Sequence, residues 1–256
     1  MNVDYQTMIR LFSQVVWPIG RISGLMLIIP VFSTALLPAR IKFFFIFALS
    51  WVCAAFVPSQ FSFLNFNGLY LVYMIQELCL GFIMGFILQL VFQIFIVGGQ
   101  IISMQAGLGF AIMVDPASKA SVPFVSQLYL MMVSLMFLSL NGHLAILDAL
   151  MESFRMMPVG QIAIDNAIAW KVLLFSSIMF KEAMLISIPA ILSLQIVSLS
   201  FGIMTKVSPQ LNIFALGFPI TLLMAILIIK ITIPSVGAQI ASSLEEGMYF
   251  IIGIIR

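Results

Sequence analysis

From Leu69 to Gln100 the chain is apolar, free of proline, and carries one charged residue, Glu77. As a helix this stretch is about 48 Å long, against a hydrocarbon core of about 30 Å. Such a run reads as a helix, which satisfies its own N–H and C=O groups where water is absent. Its i+4 ridge reads Glu77, Gly81, Gly85, Gln89 and Gln93, with Gln100 close to the same face. Gly81 and Gly85 form a GxxxG that admits close helix approach, and the glutamines offer amide hydrogen bonds. This face is expected to meet protein, as an assembly interface.

Hydrophobic residues make up 63% of the 256 positions and charged residues 8%. That leaves too little polar surface to cover a globule in water, where about a quarter of residues are charged. The chain reads as an all-α integral membrane protein in contact with lipid. It has about six hydrophobic segments, long kinked helices and helical hairpins. Its net charge of +2 contains no basic run, so nucleic acid is not an expected partner. Cys53 and Cys79 lie in apolar runs and read as small hydrophobes, and no Cys or His has metal-ligand spacing. The N-terminus lacks a signal-peptide cleavage pattern and reads as a retained segment.

Leu11 to Phe32 is the first segment, with Pro18 inside it and Arg21 in its middle. An arginine facing lipid costs about 3 kcal/mol or more, so Arg21 should face protein, water or an interface. Phe43 to Val57, Leu69 to Gln100 and Phe124 to Leu140 follow. Then come NGHL (Asn141 to Leu144), an amphipathic tail stopped by Pro158 and Gly160, and Val172 to Thr205, with a kink expected at Pro189. KVSPQLN (Lys206 to Asn212) is a tight turn into a return helix, Ile213 to Ile233, forming a helical hairpin. Ser235 to Arg256 reads as either an interfacial helix or a helix extension. In an alternating arrangement, Arg40, Lys42, Lys119 and Lys206 fall on one side and Arg10, Arg155, Lys171 and Arg256 on the other, so charge gives no orientation.

Between the third and fourth segments lies GGQIISMQAGLGFAIMVDPASKASVP, Gly98 to Pro123. Gly98 and Gly99 should loosen its start, Gly107 and Gly109 its middle, and Pro116 removes a donor. Leu108, Phe110, Ile112 and Val114 alternate with small residues and Met113, so an irregular segment presents large apolar side chains. Irregular backbone at membrane depth is tolerated only against protein or lining an aqueous cavity. The segment therefore lines or blocks a pore, or packs passively. Asp115 before Pro116 either shapes a turn or latches the loop, with Lys119, to a neighbour. Enzyme chemistry lacks its residues: His143 is the one histidine, and there is no HExxH or aspartate pair. His143 reads as a structural histidine bonded to backbone.

GQIISMQAGLGFAIMVDP (Gly99 to Pro116), FLSLNGHL (Phe137 to Leu144), SFRMMPVG (Ser153 to Gly160) and SPQLNIFALGFP (Ser208 to Pro219), in this order, resemble the FliR/SpaR/SctT family of type III export-gate subunits. The resemblance implies a non-classical topology within a helical export-gate assembly in the bacterial inner membrane, at the flagellar basal body. It implies FliP and FliQ as partners, FlhB and FlhA nearby, unfolded flagellar export substrates as cargo, and no cofactor. It also implies a FliP-like part, 1–169, and a FliQ-like hairpin with a C-terminal helix, 170–256. The segment matching 105–122 is then a plug loop that closes the channel, with Gln105, Gly107, Leu108, Gly109, Phe110, Ile112, Met113, Asp115 and Pro116 in it. Where the family often has methionine before GLGF, this chain has Ala106. Asn141, Gly142, His143, Pro209, Gln210, Gly217 and Pro219 join the ridge as interface candidates. The rival reading is a secondary transporter for a small solute, with 107–116 as a broken helix at its substrate site.

Overall fold

A computed structural model describes residues 5–33, 38–56, 68–108, 123–160, 166–207 and 213–255. All regular structure among these residues is helical: α1 (Tyr5–Ile28), α2 (Pro30–Ser33), α3 (Ala39–Cys53) with a 3-10 turn (Ala54–Phe56), α4 (Leu69–Gln105), α5 (Phe124–Ser139), α6 (Gly142–Met156), α7 (Asn166–Val207) and α8 (Ile213–Ile255). Pro38 and Pro123 stand just before α3 and α5 with φ −56°, ψ 142° and φ −59°, ψ 151°. Proline's fixed φ suits an extended residue leading into a helix, where its missing N–H costs nothing.

Two expectations are corrected. Gly98 and Gly99 do not loosen α4, which continues to Gln105. The return helix does not end near Ile233: α8 runs through Pro219 and Pro234 for 43 residues, so Ser235 onward is a helix extension. Each internal proline deletes one hydrogen bond, but the flanking Ile/Leu-rich turns keep theirs, and an apolar environment offers those groups no alternative.

Among the described residues three helices, Leu69–Gln105, Asn166–Val207 and Pro219–Ile255, are long and apolar enough to cross a membrane, and the chain is an integral membrane protein. At 37, 42 and 43 residues, α4, α7 and α8 each exceed the ~20 residues that one crossing needs. The most apolar stretch of α4 is 61% buried within the chain, against 17% and 11% for α7 and α8. The latter two therefore present apolar faces, including Trp170, Leu192 and Ile203 on α7 and Leu223 and Ile231 on α8, that lipid or another subunit must cover.

The chain forms two compact units. One contains residues 1–90, 141–176 and 244–256. Its core includes Trp17, Ile22, Leu25, Ile87, Leu150 and Phe154, and Phe175 stacks on Phe250 at 4.4 Å. The other contains 91–140 and 177–243, with a core including Phe92, Phe95, Tyr129, Val133, Ala183 and Leu194. Phe92 meets the edge of Phe137 at 5.8 Å there.

Candidate functional site

In the first unit, α1 crosses α4 at backbone contact. A Cβ on Gly81 would stand 2.9 Å from the Leu25 nitrogen, and one on Gly85 2.9 Å from the Leu25 carbonyl oxygen. From the other side, a Cβ on Gly24 would stand 2.8 Å from the Phe82 nitrogen. Two GxxxG pairs, Gly20/Gly24 and Gly81/Gly85, thus face each other. The ridge expected at an assembly interface is, at Glu77, Gly81 and Gly85, occupied by the chain's own first helix. Gln89, Gln93 and Gln100 are half-buried.

The close approach encloses Arg21 completely. Its Nε donates to Glu77 Oε2 at 2.8 Å and its Nη2 to Glu77 Oε1 at 3.0 Å, a two-pronged pair that matches guanidinium to carboxylate. Nη1 donates to Ser153 Oγ at 2.9 Å, Nη2 also to the Met157 carbonyl at 2.9 Å, and the guanidinium lies 4.2 Å over the Phe154 ring. A charge that would be costly in an apolar setting is neutralised and bonded on all sides. Three segments, α1, α4 and the end of α6 with its exit turn, are held by one side chain. Arg21 and Glu77 were each singled out in the sequence, but their pairing was not. Its available signal was two opposite charges in apolar segments, each beside a GxxxG.

In the second unit lies the root of the central segment. The Leu108 N–H bonds the Ser103 carbonyl at 3.0 Å and the Gly107 N–H the Met104 carbonyl at 3.1 Å, with Gly107 at φ 80°. This is a Schellman stop: glycine takes the left-handed conformation that L side chains avoid, and the last carbonyls of α4 are satisfied. Gly107 therefore ends a helix rather than softening one. Ala106 is fully buried in this cap. Immediately before it, Gln105 Nε2 donates to Gln195 Oε1 on α7 at 2.8 Å. Gly99 packs against the start of α5, where a Cβ would stand 2.7 Å from Ser126 Cα. Both glycines of the Gly98-Gly99 pair are buried, and at Gly99 the missing side chain permits this close approach.

Of the expected plug residues, Gln105, Gly107 and Leu108 form this root. Gly109, Phe110, Ile112, Met113, Asp115 and Pro116 lie outside the described residues, as do Pro209 and Gln210. Asn141 holds φ 56° and its carbonyl accepts from the Leu144 and Ala145 N–H groups at 2.9 and 3.1 Å, so it turns the chain into α6. Asparagine tolerates that conformation better than other non-glycine residues. Gly142 is buried, and His143 is half-buried. The Nδ1 of His143 is enclosed without a hydrogen-bond partner among the described residues. Gly217 is buried and Pro219 exposed. Among the described residues, no three His, Cys, Asp or Glu side chains are grouped to hold a metal.

Residues 12–247 match the family model described as bacterial export proteins, family 1. The chain is 32% identical over 219 residues to a flagellar biosynthetic protein FliR of Buchnera aphidicola subsp. Baizongia pistaciae, covering 85% of this chain and 84% of that one. It is 30% identical over 219 residues to the FliR of Escherichia coli K12, covering 85% and 83%. With the FliR of Aquifex aeolicus it shares 29% over 226 residues, 88% and 87% of the two chains. A match running through α1, the α4 ridge and the root of the central segment leaves one assignment: the chain belongs to the bacterial export proteins, family 1, alongside the FliR proteins.

Proposed function

We propose that the chain is a non-enzymatic core subunit of the flagellar type III protein export gate in the bacterial inner membrane, at the flagellar basal body. In this reading it helps form the channel that unfolded export substrates cross, and its central segment, Gly107 to Val122, closes that channel as an apolar plug. The observation that carries it is the built stop at Gly107. It takes the chain out of α4 at a point braced by the Gln105–Gln195 amide pair, so an apolar segment leaves a stiff, anchored root. Leu108, Phe110, Ile112 and Met113 supply the apolar side chains that such a seal against ions needs.

FliP and FliQ are the partners that the resemblance supplies, with FlhB and FlhA adjoining. The apolar faces left open on α7 and α8, and helices about twice the length of a bilayer crossing, favour a chain held inside a larger assembly. By the same resemblance, 1–169 corresponds to a FliP-like part and 170–256 to a FliQ-like hairpin. The test is native mass measurement of the gently solubilised chain. Defined co-purifying small membrane subunits are expected; a monomer or homodimer favours a solute transporter instead.

A further inference from the structure

In the unit made by 91–140 and 177–243, α8 leaves one face open. Ala225, Ile228, Val236 and Ile240 turn inward and are buried, while Leu223, Ile226, Leu227, Lys230 and Ile233 on the other side are exposed. Lys230 stands at the middle of that outer face, and it is the only charged residue between Lys206 and Glu245. It lies about 25 Å into α8 from Ile213 and about 22 Å short of Glu245. It has no ion pair among the described residues. Glu182, the one acidic side chain among the described residues of this unit, accepts a hydrogen bond from Gln239, which is about 14 Å along α8 from Lys230.

The same face carries a second feature. Gly237 and Ala241, about two and three turns beyond Lys230, are a pair of small residues one turn apart on its side of the helix. Among the described residues, no atom beyond Gly237's own helical turn lies within 4 Å of where its Cβ would stand. The first unit shows what such a combination does when it is filled. There the pairs Gly20/Gly24 and Gly81/Gly85 let two helices touch, and the charges beside them, Arg21 and Glu77, meet in the crossing. On α8 the cation and the small pair are both in place, and no other described element covers Gly237 or pairs with Lys230.

We infer that this face of α8 docks a helix of a neighbouring membrane subunit, which crosses closely at Gly237 and Ala241 and brings an aspartate or glutamate to Lys230. The small pair argues for a helix, whose backbone can approach there, rather than for lipid chains. The lone cation argues for an acid on that helix, because a lysine in the middle of an apolar face is costly until a carboxylate meets it. Phosphate headgroups lie toward the ends of so long an apolar run, whereas Lys230 lies near its centre. Leu223, Ile226, Leu227 and Ile233 offer water no polar group to hold, so the contact is a dry one. The inference rests on the assembly reading above in taking the occupant to be a neighbouring subunit. It does not depend on the plug.

The test uses the full chain expressed with its native operon partners, with the chain's own membrane level followed in each variant. Lys230→Met keeps an apolar stem and loses the charge. It is expected to lower recovery of the purified assembly several-fold, and Lys230→Glu about tenfold or more, while Lys230→Arg stays close to native recovery. Gly237→Leu, whose Cβ meets no other described element, should leave the chain's membrane level unchanged and also lower assembly several-fold. An Asp or Glu to Lys change in another subunit should restore Lys230→Glu. If the Lys230→Glu chain fails to accumulate, Lys230→Met and Gly237→Leu decide. Native recovery from either of these two overturns this proposal while the assembly reading stands. Restoration of Lys230→Glu by Asp115→Lys in the chain itself also overturns it, as does a loss that follows the anionic-lipid content of the host membrane instead of a second-site change. A native chain recovered alone overturns the assembly reading and this proposal together.

Discussion

Replacing Glu77 by Leu leaves the Arg21 guanidinium in the dry crossing of α1 and α4 with only Ser153, the Met157 carbonyl and the Phe154 ring. Replacing Arg21 by Met leaves a buried carboxylate with no bonded partner in the cluster. Breaking a buried ion pair from either side costs about 3–5 kcal/mol. Against a total stability of about 5–15 kcal/mol, that is enough to empty the membrane of folded chain. The double substitution removes both charges at once. Ser153 Oγ retains its bond to the Leu150 carbonyl at 2.6 Å, so the Met157 carbonyl is the acceptor newly stranded. Its loss costs about 1–3 kcal/mol. The double variant should therefore be more stable than either single one. The assay is the half-melting temperature of detergent-solubilised chain, followed by size exclusion, together with its level in membranes. Additive losses, with the double variant worse than both singles, would refute the reasoning that neutralisation of Arg21 by Glu77 holds this crossing.

Gly81→Leu should prevent accumulation of the chain even when no other flagellar protein is expressed, because the side chain would enter the α1 backbone; overpacking of this kind costs about 1–3 kcal/mol or more. A defect seen only in the presence of partners would move the ridge back to an inter-subunit surface. Gly107→Ala forces a left-handed alanine at a cost of about 1 kcal/mol, so the amide protons of the α4 cap should exchange about fivefold faster. Asn141→Gly should be nearly neutral in melting temperature. Asn141→Val should cost about 1–2 kcal/mol, because a branched side chain resists φ 56°.

The long apolar runs announced nearly every described helix, since a proline-free stretch such as Leu69 to Gln100 has no other way to satisfy its backbone. Their ends were less legible. The return helix read as ending at Ile233, a break that α8 does not make, because the hydrogen bond lost at Pro234 is small beside those kept along a 43-residue helix in an apolar setting. Gly98 and Gly99 read as flexible although they are packing contacts, and nothing local distinguishes those roles without knowing that Ser126 lies opposite. The Gly81/Gly85 ridge was visible, but which helix fills it is a long-range fact: Arg21 and Glu77 are 56 residues apart. Gly107 read as a residue that loosens the segment, whereas its tolerance of positive φ ends α4 there. The bond between Gln105 and Gln195, 90 residues away, had no local signal at all.

The central claim, that the segment leaving Gly107 closes a protein-conducting channel, is tested most directly by conductance. Residues 109–122 are exchanged for an equally long glycine–serine stretch, which retains the Gly107 cap and the Gln105–Gln195 pair. The purified assembly is then reconstituted in planar bilayers. A steady ion leak that the native assembly lacks is the predicted result. Native-like silence from an assembly of full composition would contradict it.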